Sequence, residues 1–323
     1  MLEGGRTPPV FGRVLASSIL AWTLLWQAGC AASDGLQASA ADPKPNAVTE
    51  APVGSLQGEA GDGVTVYRGI PFALAPVGER RWALPEAFPD WEGVRQAIEF
   101  GPACPQPGAR PGSIYYEKLG EVSEDCLSLN VWVPDGADDA PVFVWIHGGS
   151  LVTGTSSQAM YDGANLARET GLVVVTINYR LGVLGYLAHP ELSAESPQNI
   201  SGNYGLKDQA AALKWIKRNI AAFGGNSDNV TIAGESAGAL SVVLLMVSPE
   251  ARGLFDKAIA ESAYMVSMAP LRGTVSGHPS AEEAGVAFQE KTKAASLAEL
   301  REMDADELVS IAGRNAFVPF GVI

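Results

Sequence analysis

Residues 230–241 read VTIAGESAGALS, and this stretch decides the fold that the sequence predicts. Its first part is β-branched and apolar, which is typical of a buried strand, and its last part is typical of a helix. Between them, residues 234–238 fit the pattern G-x-S-x-G, in which a sharp strand-to-helix turn presents a serine hydroxyl above the sheet. Ser236 is therefore the candidate nucleophile, and the alternative is a tight turn around a buried serine.

Strand and helix patterns alternate on both sides of this stretch. Residues 63–73 and 127–134 predict antiparallel strands near the N-terminus. Four further strands are predicted by apolar runs at 141–149, 172–180, 229–236 and 256–262, and helices are predicted at 203–225, at 237–248 and in two amphipathic pieces after Pro279. This alternation predicts an α/β fold with a doubly wound, mostly parallel sheet.

A second glycine-rich segment, His147-Gly148-Gly149-Ser150, directly follows a predicted strand. Backbone N–H groups of such a loop can point at one spot. Together with the N–H of Ala237, at the start of the predicted helix, they would form an oxyanion hole. We expect His147 itself to be an oriented structural imidazole.

The composition excludes several classes of function. The net charge is −14, and no basic stripe interrupts the acidic surface, which argues against nucleic acid as a partner. The negative net charge is explained equally well if it simply keeps the protein soluble. Neither a Cys/His cluster nor a phosphate loop occurs in the sequence, so we expect no metal and no organic cofactor.

The N-terminal residues 1–30 are typical of an export signal, with arginines ahead of the apolar run Val14–Trp26. The run ends near Cys30, in a context similar to a bacterial lipobox. This predicts a lipid-anchored envelope protein, with ordinary cleavage and a secreted or periplasmic product as the alternative. Residues 31–50 are rich in Ala, Ser, Asp and Pro and predict a disordered tether. A lipid on Cys30 would be the only membrane attachment.

Two other cysteines, Cys104 and Cys126, form an even pair once Cys30 is lipidated or removed. An exported chain meets oxidising surroundings, which favour a disulfide between them, and two free thiols are the alternative.

Several longer segments resemble the type-B carboxylesterases, the cholinesterase-like branch of the α/β hydrolases. They are RGIPFALAPVGERRW (68–82), EDCLSLNV (124–131), GNYGLKDQ (202–209) and FGGNSDNVTIAGESAG (223–238). The resemblance runs from about Pro52 to the last residue. It implies an α/β-hydrolase fold for the domain 51–323, and hydrolysis of small carboxylic esters through an acyl-enzyme.

The resemblance also implies roles for single residues. Ser236 corresponds to the nucleophile, Gly149, Ser150 and Ala237 to the oxyanion donors, and Gly148 to a residue that shapes the loop. The remaining correspondences are Glu235 and Ser262 as supports of the active-site histidine, Cys104–Cys126 as a disulfide, and Arg81–Glu124 and Arg180–Asp208 as structural ion pairs.

The base and the acid are missing from this assignment. In this fold the order is serine, acid, histidine, and only His278 follows Ser236. The acidic candidates between them are Glu250, Asp256 and Glu261, and none follows a later strand. His189 precedes the serine. We therefore expect an N-terminal portion of a longer esterase that lacks the C-terminal part of the fold, is nearly inactive alone and exposes an apolar sheet edge at 256–262. A non-catalytic, neuroligin-like adhesion protein is the alternative function.

Overall fold

A computed structural model of the chain describes residues 47–108, 112, 118–264, 269–274, 278–313 and 322–323. The predicted export signal, Cys30 and residues 31–46 of the predicted tether lie outside the described residues. Residues 47–50, at the C-terminal end of the predicted tether, belong to the first strand.

Strands and helices alternate along the second half of the described chain, as the sequence predicts. The strands are β1 (Ala47–Ala51), β2 (Gly54–Gly61), β3 (Val64–Pro71), β4 (Val94–Gln96), β5 (Ser128–Pro134), β6 (Ala140–Ile146), β7 (Val173–Ile177), β8 (Gly225–Glu235) and β9 (Lys257–Glu261). The helices are α1 (Ala164–Thr170), α2 (Gly182–Tyr186), α3 (Pro190–Glu195), α4 (Tyr204–Asn219), α5 (Ala237–Val247), α6 (Ala281–Thr292), α7 (Leu297–Glu302) and α8 (Ala305–Ala312).

The strands form one mixed sheet in the order β1-β2-β3-β5-β7-β6-β8-β9, and β4 pairs with β2. The pairs from β1 to β7 along this order are antiparallel. The strands β7, β6, β8 and β9 run parallel to one another. The α/β architecture with antiparallel N-terminal strands is therefore confirmed, and the carboxyl ends of β6 and β8 meet at one edge of the sheet.

The paired parts of the central strands are largely apolar because both faces of the sheet are covered. Val144 on β6 faces Val175 on β7 and Ile232 on β8, and all three are fully buried. Burying one such side chain contributes roughly 1.5–3 kcal/mol, so these strands form the rigid centre of the domain.

One face of α4 packs against this sheet. Ala210, Leu213 and Ile216 are buried at helical spacing. A short 3₁₀ turn continues the helix to Phe223, and the chain then reverses at Gly224, whose φ is +74°. A side chain at position 224 would overlap the carbonyl oxygen of Ala137, which explains the glycine.

The second amphipathic piece after Pro279 forms two helices, α7 and α8, and not one. The chain breaks at Asp304, whose carboxylate accepts the N–H groups of Asp306 and Glu307 and so caps α8. Nη1 of Arg81 donates to the carbonyl oxygens of Arg301 and Met303, at 2.9 and 2.6 Å, which fixes this break to the N-terminal half of the fold.

Within the described residues, β9 pairs only with β8, and all five of its residues are exposed. Its central side chain, Ile259, is 43% exposed. An exposed, partly apolar edge is therefore present where the sequence predicts one. No helix in the described ranges combines the length and the apolar character that crossing a membrane requires.

Candidate active site

Ser236 occupies the turn between β8 and α5. β8 ends at Glu235, α5 begins at Ala237, and Ser236 has φ 54° and ψ −117°. A non-glycine residue in such a conformation costs on the order of 1–3 kcal/mol and persists only where its surroundings impose it. Here the Ser236 N–H donates to the Glu261 carbonyl (3.0 Å), and its carbonyl accepts from the Leu240 N–H (2.9 Å). The turn is held on both sides.

The two glycines of the motif allow this turn to cross the end of β6. A Cβ atom at position 234 would lie 2.5 Å from the carbonyl carbon of Gly238 and 2.8 Å from the carbonyl oxygen of Ile146. A Cβ atom at position 238 would overlap the same carbonyl oxygen. Both positions therefore exclude any side chain, and Ser236 is brought directly above the end of β6.

The segment after β6, residues 147–154, is called the glycine loop below. A Cβ atom at Gly148 would lie 2.8 Å from the carbonyl oxygen of Glu235 and 3.4 Å from Cβ of Ser236. The loop and the candidate nucleophile are therefore in contact through a position that has no room for a side chain.

The glycine loop turns back on itself at Gly149, whose φ is +100°. The N–H groups of Val152 and Thr153 donate to the Gly149 carbonyl at 3.0 and 2.9 Å. Gly149 and Ser150 are exposed, and in the part of the chain that the structure describes their N–H groups donate to no protein acceptor. These two donors directly follow Gly148, at which a Cβ atom would lie 3.4 Å from Cβ of Ser236.

A third donor comes from the N-terminus of α5. The first N–H groups of a helix have no partner within the helix and carry a partial positive charge. Ala237 provides the first N–H of α5 and is itself fully buried. The corner formed by the glycine loop and α5 can therefore accept a developing negative charge beside the Ser236 hydroxyl.

His147 is buried at the base of the glycine loop and does not serve as a base for Ser236. Its Nδ1 lies 2.9 Å from the carbonyl oxygen of Gly148, which can only accept, so this nitrogen carries the proton. Burial lowers the pKa of His147 to about 4, so the ring is neutral at physiological pH. This is the oriented structural imidazole that the sequence predicts.

Two other candidate residues flank the turn. Glu235 is half-buried at the end of β8, and its carboxylate would lie 3.0 Å from a Cβ atom at Gly148. Burial raises the pKa of Tyr264, and the charge of Glu235 raises it further. Ser262 is exposed directly after β9, with φ 54°. Both lie at the edge of the sheet that carries Ser236.

Neither of the remaining histidines lies at the site. His189 is buried, and its Nδ1 accepts the Glu191 N–H at 3.2 Å, which caps α3. His278 is exposed on a loop. Of the three histidines of the chain, none is hydrogen-bonded to Ser236 among the described residues.

None of the acidic candidates is hydrogen-bonded to a histidine among the described residues. Asp256 accepts the Val230 N–H at 2.9 Å near the start of β9, at the end of the sheet opposite to Ser236. Glu250 forms an exposed ion pair with Lys207 at 2.6 Å. Glu261 is exposed on β9 beside Glu235. Across the described ranges, no group of three or more His, Cys, Asp or Glu side chains could hold a metal ion.

The predicted cross-links are present. Cys104 and Cys126 form a disulfide. Arg180 binds the fully buried Asp208 through Nε (2.8 Å) and Nη2 (2.7 Å). Arg81 and Glu124 form a second two-point ion pair, with Nε at 2.7 Å from the carboxylate.

A buried polar network beside the glycine loop was not foreseen from the sequence. Oδ1 of Asn178 accepts the Ser156 N–H at 2.8 Å, and its Nδ2 donates to the Pro102 carbonyl at 3.1 Å. Nδ2 of Asn130 donates to the side chains of Ser156 and Thr176. The available signal was an asparagine within one apolar run, Asn130, and another directly after a second run, Asn178, since a buried amide requires partners.

Comparison with known proteins finds one family model and several similar proteins. The family model described as "Carboxylesterase family" matches residues 45–321. Fumonisin B1 esterase of Sphingopyxis macrogoltabida is 39% identical over 321 residues, which is 96% of this chain and 55% of that protein. Para-nitrobenzyl esterase of Bacillus subtilis (strain 168) is 48% identical over 210 residues, which is 65% of this chain and 42% of that protein.

A solved structure of a PNB esterase is 41% identical and superimposes with a TM-score of 0.74, over 83% of this chain and 53% of that one. The chain spans about half the length of the curated relatives it matches.

Proposed function

This chain belongs to the carboxylesterase family, and from that premise we propose that the protein hydrolyses carboxylic esters of small molecules with Ser236 as the nucleophile. One observation carries the proposal. Ser236 sits at a strained strand-to-helix turn, and the open N–H groups of Gly149 and Ser150 follow the loop position that packs against it.

In the proposed reaction, Oγ of Ser236 attacks the ester carbonyl carbon and loses its proton to a base. The carbonyl oxygen becomes an anion and accepts hydrogen bonds from the N–H groups of Gly149, Ser150 and Ala237. Each such donor contributes about 2.7–4 kcal/mol to the lowering of the barrier. The alcohol leaves with a proton, and water then hydrolyses the acyl-enzyme.

We propose that the base and its acid are supplied from outside the residues that the structure describes. The support for this is that no described histidine reaches Ser236. Loss of the histidine of a serine triad costs on the order of a millionfold in kcat and leaves about 10³–10⁴-fold over water from the oxyanion hole and binding. The 323-residue polypeptide by itself is therefore proposed to be a very poor catalyst. Glu235 and Ser262 are proposed to support the missing histidine.

The test uses the whole protein, expressed from its full coding sequence. We expect it to hydrolyse p-nitrophenyl acetate and to be labelled by a fluorophosphonate probe, and we expect Ser236→Ala to abolish both. Ser248→Ala, at the other end of α5, is the matched control and should retain both. Labelling that persists in Ser236→Ala would overturn the assignment of the nucleophile.

A non-catalytic binding protein of the neuroligin-like kind is the second candidate. The observation that favours it is the absence of any histidine hydrogen-bonded to Ser236 in the described ranges. The same experiment separates the two, because a binding protein would give no hydrolysis and no labelling in the wild type.

The cellular location is proposed from sequence alone. The N-terminal 30 residues support export, and Cys30 supports a lipid anchor as the sole contact with a membrane. Incorporation of radiolabelled palmitate that is lost in Cys30→Ser would support the anchor, and equal incorporation in both would exclude it.

A further inference from the structure

A half-buried side chain outside the motif, Gln106, binds one glycine of the glycine loop at two points. The Gly154 N–H donates to Oε1 of Gln106, and Nε2 of Gln106 donates to the Gly154 carbonyl, both at 2.8 Å. Nε2 also donates to the carbonyl of Cys104 at 3.0 Å. A primary amide supplies an acceptor and two donors, and all three are used here. This arrangement fixes both the position and the orientation of Gly154.

Gly154 in turn supports the base of the glycine loop. A Cβ atom at position 154 would overlap Nδ1 of His147 and would lie 2.9 Å from the carbonyl oxygen of Gly148. Gly154 has φ +115°, a conformation that glycine adopts readily. Gly148 is the residue that packs against Ser236. Gln106 is therefore hydrogen-bonded to Gly154, and Gly154 and Gly148 are so close to their neighbours that neither has room for a side chain between Gln106 and the candidate nucleophile.

The backbone that carries Gln106 is itself held firmly. Cys104, two residues earlier, is joined to Cys126. The N–H of Ala103 donates to the Glu121 carbonyl at 2.9 Å, and the Pro102 carbonyl accepts from Nδ2 of Asn178 at 3.1 Å. Gln106 therefore reaches the glycine loop from an anchored segment. A flexible segment could not transmit a fixed position.

We propose that Gln106 is a positioning residue for ester hydrolysis. Its amide holds Gly154, and through it the glycine loop, so that the N–H groups of Gly149 and Ser150 face the carbonyl oxygen of an ester attacked by Ser236. This role rests on the proposed function. Gln106 acts through the loop without touching substrate, so its removal weakens an interaction formed in the transition state and leaves ground-state binding intact.

Two variants in the whole protein test the proposal. Gln106→Met removes all three hydrogen bonds of the amide at similar side-chain length, and Gln106→Glu keeps Oε1 while placing a second oxygen against two carbonyl oxygens. The matched control is Gln96→Met, since Gln96 is exposed on β4 and its amide contacts only Gln57 among the described residues. The readouts are kcat and KM for p-nitrophenyl acetate, and hydrogen–deuterium exchange of peptides that cover 147–157.

We expect both Gln106 variants to lower kcat by about 10- to 100-fold, which does not exceed the decrease caused by removing one oxyanion donor. We expect KM to stay within about twofold of the wild-type value. Exchange in 147–157 should accelerate by about tenfold, since the Gly154 N–H loses its acceptor. Reduction of the Cys104–Cys126 disulfide should shift both readouts in the same direction. Gln96→Met should change neither.

Three results would overturn the proposal: unchanged exchange at 147–157, an unchanged kcat in a variant whose loop exchanges faster, or an increase in exchange spread evenly over the sheet. If the wild type hydrolyses no ester and takes no fluorophosphonate label, the proposed function fails and the kinetic role of Gln106 fails with it. The exchange measurement then still decides whether Gln106 holds the loop.

Discussion

Tyr179 and His147 are stacked, with ring centroids 4.4 Å apart, and the Tyr179 hydroxyl donates to the backbone carbonyl of His147 at 2.7 Å. Both side chains are almost completely buried. Tyr179 therefore fixes the backbone and the ring of the residue that begins the glycine loop. No described carboxylate is bound to this ring to compensate a positive charge, and burial lowers its pKa by more than the hydrogen bond to the Gly148 carbonyl raises it.

The neutral state of His147 predicts an acid-sensitive fold. The pKa of His147 is about 4 in the folded protein against about 6.5 in an unfolded chain, so only the unfolded chain takes up this proton as the pH falls from 6.5 to 4. The contribution of the neutral ring to the free energy of unfolding is fully present above pH 6.5, and about 3 kcal/mol is lost as the pH falls from 6.5 to 4. Urea unfolding at several pH values would measure the slope of the free energy of unfolding against pH.

The control for this prediction is the exposed His278. His147→Phe keeps a ring to stack on Tyr179 and removes the titration, so its stability should fall less steeply between pH 6.5 and 4 than that of the wild type. His278→Asn should keep the wild-type slope. Parallel slopes for His147→Phe and the wild type would show that the pKa of His147 is the same in the folded and the unfolded chain.

The close packing at Gly238 predicts a large loss of stability when one methyl group is added there. Its Cα lies against the carbonyl of Ile146, and a Cβ atom there would overlap that oxygen. Both partners are backbone atoms in the rigid centre of the fold, so neither can move away. We expect Gly238→Ala to lower the free energy of unfolding by about 3 kcal/mol or more. Gly61→Ala, where nothing lies within 4 Å, should leave it nearly unchanged in the same denaturation assay.

The strand-to-helix turn at Ser236 could be predicted because its determinants are adjacent in the sequence. The β-branched run before it, the two glycines and the apolar helix after it all act within a few residues of the serine. Parallel pairing of β6 with β8 then follows from the alternation of strands and helices, and it brings the glycine loop to the same edge.

Other features could not be predicted because their determinants are distant in the sequence. Gln106 and Gly154 are 48 residues apart, and nothing near Gln106 indicates which backbone groups it binds. The break between α7 and α8 depends on Arg81, more than 200 residues earlier. The start of β1 at Ala47 depends on pairing with β2, because the composition of 31–50 alone favours disorder.

Because Arg180 and Asp208 form a buried ion pair, we expect a large loss of stability when Asp208 is neutralised. Both side chains are almost inaccessible, and Asp208 accepts three hydrogen bonds from Arg180, including one from its backbone N–H. Asp208→Asn leaves a buried guanidinium without a counter-charge, and we expect a loss of about 3–5 kcal/mol in thermal or urea unfolding. Asp90→Asn breaks a similar two-point pair with Arg218 on the surface and should cost far less. Equal losses would contradict this account.

The exposed edge at β9 predicts self-association of the 323-residue polypeptide. The backbone groups on its outer side have no strand partner among the described residues, and Ile259 adds apolar surface at the middle of the strand. Such an edge is a template for pairing with a second chain, and a charge on it opposes that pairing. We expect Ile259→Lys to lower the apparent mass in light scattering. Met160→Lys, at a more exposed apolar site outside any strand, should leave the association unchanged, since added charge alone is not the cause. A wild-type polypeptide that is monomeric at high concentration would show instead that the edge is covered.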